Sequence, residues 1–130
     1  MEINASLEVS IIVKEEDTAK AISLDPTDDF PAVYATSKMV AVMELAAARL
    51  MQPLLKDGEL SVGVNVNINH LAPTPVGSTI TAKATYLGTE GKLYKFKVEV
   101  IDNAGLAGNG EHTRAIIETA RLLAGAAKRG

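Results

Sequence analysis

The chain of 130 residues contains no cysteine. That absence excludes disulfides, thiolate catalysis and cysteine-bound zinc together. It fits a reducing compartment, and a cytoplasmic location is expected. Basic charge is not in surplus: 13 Lys and Arg stand against 16 Asp and Glu, for a net charge of −3. No basic run exceeds Lys128-Arg129, so neither nucleic acid nor a membrane surface is an expected partner. Long apolar runs are also missing. The stretch from Met39 to Leu55 is interrupted by Glu44 and Arg49 and is too short and too charged to cross a bilayer. The N-terminal "MEINASLEVS" lacks the charged and apolar regions of a signal peptide. No internal repeat occurs, and the small-residue tail "AGAAKRG" is expected to fray. What remains is ordinary: 47% hydrophobic and 22% charged residues, enough for one domain, residues 1–130, around one core.

The pattern along the chain predicts one strong helix and five strands. "LEVSIIV" alternates, with Leu7, Val9, Ile11 and Val13 on one face of a strand. The polar stretch that follows, with Asp25-Pro26 and Phe30-Pro31, reads as an irregular loop with room for a short helical turn. Residues 35–52 are rich in Ala, Met and Leu and predict a helix that Pro53 ends. Four strand patterns come next: Leu60–Leu71, Ser78–Gly88, Lys92–Ile101 and Leu106–Glu118. Their connections carry turn chemistry, and "GTEG" and "DNAG" suit hairpins. A long, mostly apolar helix needs cover on every side. An antiparallel sheet curved around it supplies that cover. The expected architecture is therefore α+β, a hot-dog fold, with residues 60–118 as an antiparallel meander.

Glu44 is out of place in "MVAVMELAAARLM". Positions 40, 41, 47 and 48 are Val, Ala, Ala and Ala, so no basic side chain stands at helical spacing to pair with it. The helix can turn an Ala-rich side to water there. Alternatively Glu44 faces the interior or an interface. An unpaired carboxylate in that setting costs several kcal/mol, so a partner must come from elsewhere in the fold, and such an acid suits proton transfer. The strand "VGVNVNINHL" points to one. Val62, Val64, Val66 and Ile68 share a parity with His70, which puts the histidine toward the helix if no bulge intervenes. A structural histidine at the strand end is the competing explanation.

His112 shares a face with Arg114 and Ile116, and its simplest role is packing at a strand edge. Arg114, near a strand centre, must pair with a carboxylate or an anionic ligand. The two histidines are far apart, and neither His-x-x-x-His nor Glu-x-x-His occurs, so no metal is expected.

Three stretches, "FPAVYATSKMVAVMELAAARLMQPLL", "SVGVNVNINHLAPTPVGSTITAKA" and "GNGEHTRAII", resemble the fluoroacetyl-CoA thioesterase-like hot-dog proteins. The resemblance runs from Phe30 to Ile117 without insertion between helix and histidine. It implies a catalytic set of Thr36, Glu44 and His70, with Gly63 and Arg114 at the substrate site. Thr36 also fits a helix N-cap or first turn. The fluoroacetate-specialised members gate the acyl pocket with two phenylalanines. Phe30 matches one, and Thr27 stands in place of the other. The resemblance thus implies an acyl-CoA thioesterase for a short or medium acyl group, not a fluoroacetate-resistance enzyme. It further implies a homodimer with substrate at the subunit boundary, and no cofactor beyond the coenzyme A of the substrate.

In that scheme Thr36 is nucleophile or water-positioner, His70 is the base, and Glu44 orients His70 or the attacking water. Thr36 and Glu44 lie eight residues apart, about 12 Å along a straight helix, so they do not bond directly. Two other roles suit the same fold: a hydratase or dehydratase of acyl thioesters, and a non-catalytic acyl-CoA binding protein.

Overall fold

A computed structural model describes residues 1–130. In chain order the elements are strand β1 (Ser6–Ile12), helix α1 (Thr36–Met51), strands β2 (Glu59–His70), β3 (Thr79–Glu90), β4 (Leu93–Asp102) and β5 (Gly105–Glu118), and helix α2 (Thr119–Ala127). Five antiparallel strands form one sheet in the order β1-β3-β4-β5-β2. The sheet curves around α1, whose Met39, Val42, Met43, Ala46, Ala47 and Met51 are buried. This is the expected hot-dog architecture.

Period-two patterning governs the inner face. Ile80, Ala82, Ala84 and Tyr86 of β3 and Phe96, Val98 and Val100 of β4 are all buried against the helix, and Val9 and Val13 join them from the β1 side. Small alanines on β3 let the helix approach the sheet, and methionines fill what is left.

Three expectations are corrected. Only β3, β4 and β5 form a meander. The connection after β2 carries the chain across the sheet, so β2 pairs with β5 and becomes an edge. The tail "AGAAKRG" is not frayed from its start: α2 runs through Ala127, as the Ala and Leu content of "TARLLAGAA" favours. The alternation in β2 also breaks. Gly63 faces Arg114 and Asn65 faces Thr113, so Val64 is the extra residue of a β-bulge. Beyond a bulge the side-chain phase reverses. Gly63 and His70, of opposite parity, consequently both face the helix, while Val64 is 52% exposed.

The segment between β1 and α1 forms two short 3-10 turns, Glu15–Asp17 and Lys20–Ile22. It folds back over the start of α1 through backbone bonds from Ala19 to Val33, Ala35 to Asp17 and Tyr34 to Thr74. The Tyr34 side chain is buried and its hydroxyl donates to the Lys38 carbonyl at 3.1 Å. These contacts hold the beginning of the helix against the end of β2. Pro53 lies in a 3-10 turn, Gln52–Leu54, that follows the last α-helical residue. No helix is long and apolar enough to cross a membrane.

Candidate active site

The polar side chains gather at two places along α1. At its start, Thr36 is the first helical residue and Ala35 is the N-cap. Alanine has no side-chain oxygen to cap the free N–H groups of the first turn, so these remain available at the positive end of the helix dipole. The Thr36 hydroxyl lies 2.7 Å from His70 Nδ1. His70 is the last residue of β2, and the following Leu71 and Ala72 N–H groups both bond the Ala107 carbonyl, which fixes the strand end. His70 Nε2 is buried and has no hydrogen-bond partner. A cleft of about 350 Å³ opens beside this pair, lined by Ala19, Pro31, Val33 and Leu71 to Pro73 as well as the two polar residues.

Midway along the helix, Glu44 meets β2 and β5. Its Oε1 accepts from Arg114 Nη1 at 3.3 Å and lies 3.8 Å from His112 Nε2. Arg114 is 6% exposed and also donates from Nε to Ser61 Oγ at 3.1 Å and from Nη2 to the Ser61 carbonyl at 3.0 Å. Burial lowers the pKa of its guanidinium, and the Glu44 charge opposes that change. Gly63 makes room for this arrangement. A Cβ there would overlap Glu44 Oε1 and sit 3.3 Å from His112 Cε1.

The structure therefore brings Thr36 to His70, and Glu44 to Arg114 and Gly63. Glu44 and His70 share no hydrogen bond or ion pair within one chain. Phe30 is 47% exposed on the loop ahead of the helix. The Thr27 side chain turns back onto its own loop, with its hydroxyl donating to Asp25 Oδ1 at 2.8 Å. His112 differs most from expectation. It is not at an edge: β5 is flanked by β4 and β2, and the imidazole is 1% exposed. The space for the ring is left by Gly63 on the neighbouring strand, where a Cβ would sit 3.3 Å from His112 Cε1.

A hydroxyl on an imidazole at a helix start, together with a paired helical carboxylate on a hot-dog sheet, fits acyl transfer from a thioester, and the comparisons place the chain among thioester hydrolases. The chain belongs to the family of fluoroacetyl-CoA-specific thioesterases, FlK, whose model matches residues 13–120. A fluoroacetyl-CoA thioesterase of Streptantibioticus cattleyicolor is 38% identical over 96 residues, 74% of this chain and 69% of that protein. A solved structure of the fluoroacetyl-CoA thioesterase FlK superposes with a TM-score of 0.95 at 31% identity, covering 100% of this chain and 98% of the other. A Thermus thermophilus member of the thioesterase superfamily gives 0.85 at 29% identity, covering 95% and 88%. The protein is an acyl-CoA thioesterase by family, and the hydratase and passive-binder readings give way to that assignment.

Proposed function

We propose that the protein hydrolyses short or medium acyl-CoA thioesters with Thr36, His70 and Glu44, in a site shared by two copies of the chain. The observation that carries this is the 2.7 Å contact between the Thr36 hydroxyl and His70 Nδ1, within the range required of a nucleophile and its base. Thr36 Oγ attacks the thioester carbonyl and its proton passes to Nδ1. The C–S bond breaks, the proton returns to the coenzyme A sulfur, and the acyl group stays on Thr36. Water then attacks the ester, releasing the acid and restoring the hydroxyl. The uncapped N–H groups of the first turn of α1 are suited to hold the oxyanion.

A base that uses Nδ1 carries hydrogen on Nε2, and that buried atom needs an acceptor. Glu44 of the same chain does not reach it. β2 is an edge strand, and an edge can pair with its own copy. An antiparallel pairing centred on Asn67, with Val64 counted as the extra residue of the bulge, sets residue 70 of one strand opposite residue 63 of the other. Glu44 lies under Gly63. Such a homodimer brings Glu44 of a second copy toward Thr36 and His70, where it can orient the imidazole or the attacking water. The bulge at Val64 is what allows residues 63 and 70 to face the same side.

A cleft of about 350 Å³ beside Thr36 supports a short or medium acyl group. Thr27 offers no aromatic cover and is engaged with Asp25, which supports acyl-CoA hydrolysis without selection for the fluorinated group. Mass spectrometry after rapid quenching is the test. An acyl adduct on residue 36 that is absent in Thr36→Ala supports the mechanism. Full turnover by Thr36→Ala, with water as the direct attacker, overturns it.

A further inference from the structure

We infer that His112 is a positioning residue for hydrolysis, a permanently neutral imidazole that holds Arg114 and, through Arg114, sets the Glu44 carboxylate under Gly63. The inference rests on the proposed role of Glu44. Its physical basis is the hydrogen-bond inventory of the ring. His112 Nδ1 lies 2.8 Å from the carbonyl of Asn65. A carbonyl only accepts, so Nδ1 carries the hydrogen. His112 Nε2 lies 3.1 Å from Arg114 Nη1. An arginine only donates, so Nε2 is bare. One tautomer of the neutral ring satisfies both contacts, and the protonated ring satisfies only the first.

The β-bulge contributes directly. Asn65 follows the bulged Val64, and its carbonyl accepts from an inner-face side chain. Arg114 is then held by Ser61 on one side, by Glu44 on another, and by His112 on the third. Take His112 away and Nη1 keeps only the half-exposed carboxylate, which is free to swing toward water.

The charges around the ring favour neutrality. β5 presents Arg114, and α1 presents Glu44. β2 presents Ser61, Gly63 and Val66, with no charge, and β4 presents Phe96 opposite His112 and Tyr94 opposite Arg114. Burial lowers the imidazole pKa most, and the Arg114 charge lowers it further, against the opposing effects of the Asn65 bond and Glu44.

Nitrogen NMR of the histidine-labelled protein, assigned with His112→Asn, reads the tautomer. The expected spectrum has Nδ1 protonated and Nε2 bare at pH 6.5, where an ordinary imidazole is half protonated. Protonation of both nitrogens at that pH overturns the inference. Kinetics give the second readout. His112→Asn can still donate to the Asn65 carbonyl but lacks an acceptor that reaches Arg114, and its kcat should fall about ten- to a hundredfold with KM little changed. His112→Gln restores an acceptor and should recover part of that loss. Wild-type kcat in a folded His112→Asn, alongside an inactive Glu44→Gln, rejects the role of His112 and leaves that of Glu44 standing. Full activity in Glu44→Gln removes the reading beneath both.

Discussion

Replacing Gly63 with alanine adds one methyl group where the structure has no room for it. The new Cβ overlaps Glu44 Oε1, and the carboxylate must retreat on the order of 1 Å to regain normal contact. Its bond to Arg114 is already 3.3 Å long, so that retreat breaks it. A hydrogen bond between charged groups is worth roughly 1.5–3 kcal/mol. The Glu44 side chain is 38% exposed, so water recovers much of this, and a net loss of about 1 kcal/mol is reasonable. The φ of Gly63 is not in the left-handed region, so alanine is not strained there and gains about 0.4–1 kcal/mol from the stiffer unfolded chain. The two effects nearly cancel, and the melting temperature should move by no more than about 5 °C. Activity responds differently. Misplacing a working group by about 1 Å can cost on the order of a hundredfold in rate. Thiol release from acyl-CoA measures kcat, and differential scanning calorimetry measures stability. The expected outcome is a large fall in kcat with a small change in Tm. In the Glu44→Ala background the clash is gone, and Gly63→Ala should become neutral or stabilising. Wild-type turnover by Gly63→Ala, or the same stability change in both backgrounds, would refute the steric reasoning.

Thr74 is fully buried and its hydroxyl donates to Asp102 Oδ2 at 2.6 Å. That bond, with the Ala104 N–H, holds the Asp102 carboxyl below its ordinary value of 3.8. A depressed folded pKa gives stability that is complete above the unfolded value and is lost as pH falls through the folded one. Thr74→Val should therefore cost about 1 kcal/mol at neutral pH and flatten the loss of stability below pH 3.8, as followed by urea titration across pH. Paired β2 edges predict a solution mass of twice 13.7 kDa in light scattering, and a monomer at catalytic concentrations contradicts the shared site. Fluoroacetyl-CoA and acetyl-CoA should have kcat/KM values within about tenfold of each other, and a much larger preference for the fluorinated substrate contradicts the role assigned to Thr27.

Much of this was legible from local pattern. β1, β3 as far as Tyr86, and β4 alternate, and their buried residues all lie on the inward face. Glu44 stood out because every helical neighbour that could pair with it is apolar. What escaped depends on distant partners. The bulge at Val64 reverses the phase of β2, and nothing in "VGVNVN" distinguishes an inserted residue from continued alternation. The position of β2 at the edge is decided by where the 71–78 connection travels, not by the strand itself. The burial of His112 depends on the Asn65 carbonyl that meets Nδ1 and on the space left by Gly63, both remote in sequence. The small residues from Ala124 onward suggest a frayed end, yet alanine is the strongest helix former and α2 continues to Ala127.

Mixing two disabled chains tests the shared site most directly. Thr36→Ala and Glu44→Gln are each expected to be inactive as homodimers. Refolded together in equal amounts, they form mixed dimers in which one of the two sites draws an intact Thr36 and an intact Glu44 from different copies. Random pairing then restores about a quarter of wild-type turnover. If Glu44 instead serves the Thr36 of its own chain, every site in the mixture carries a lesion, and no activity returns.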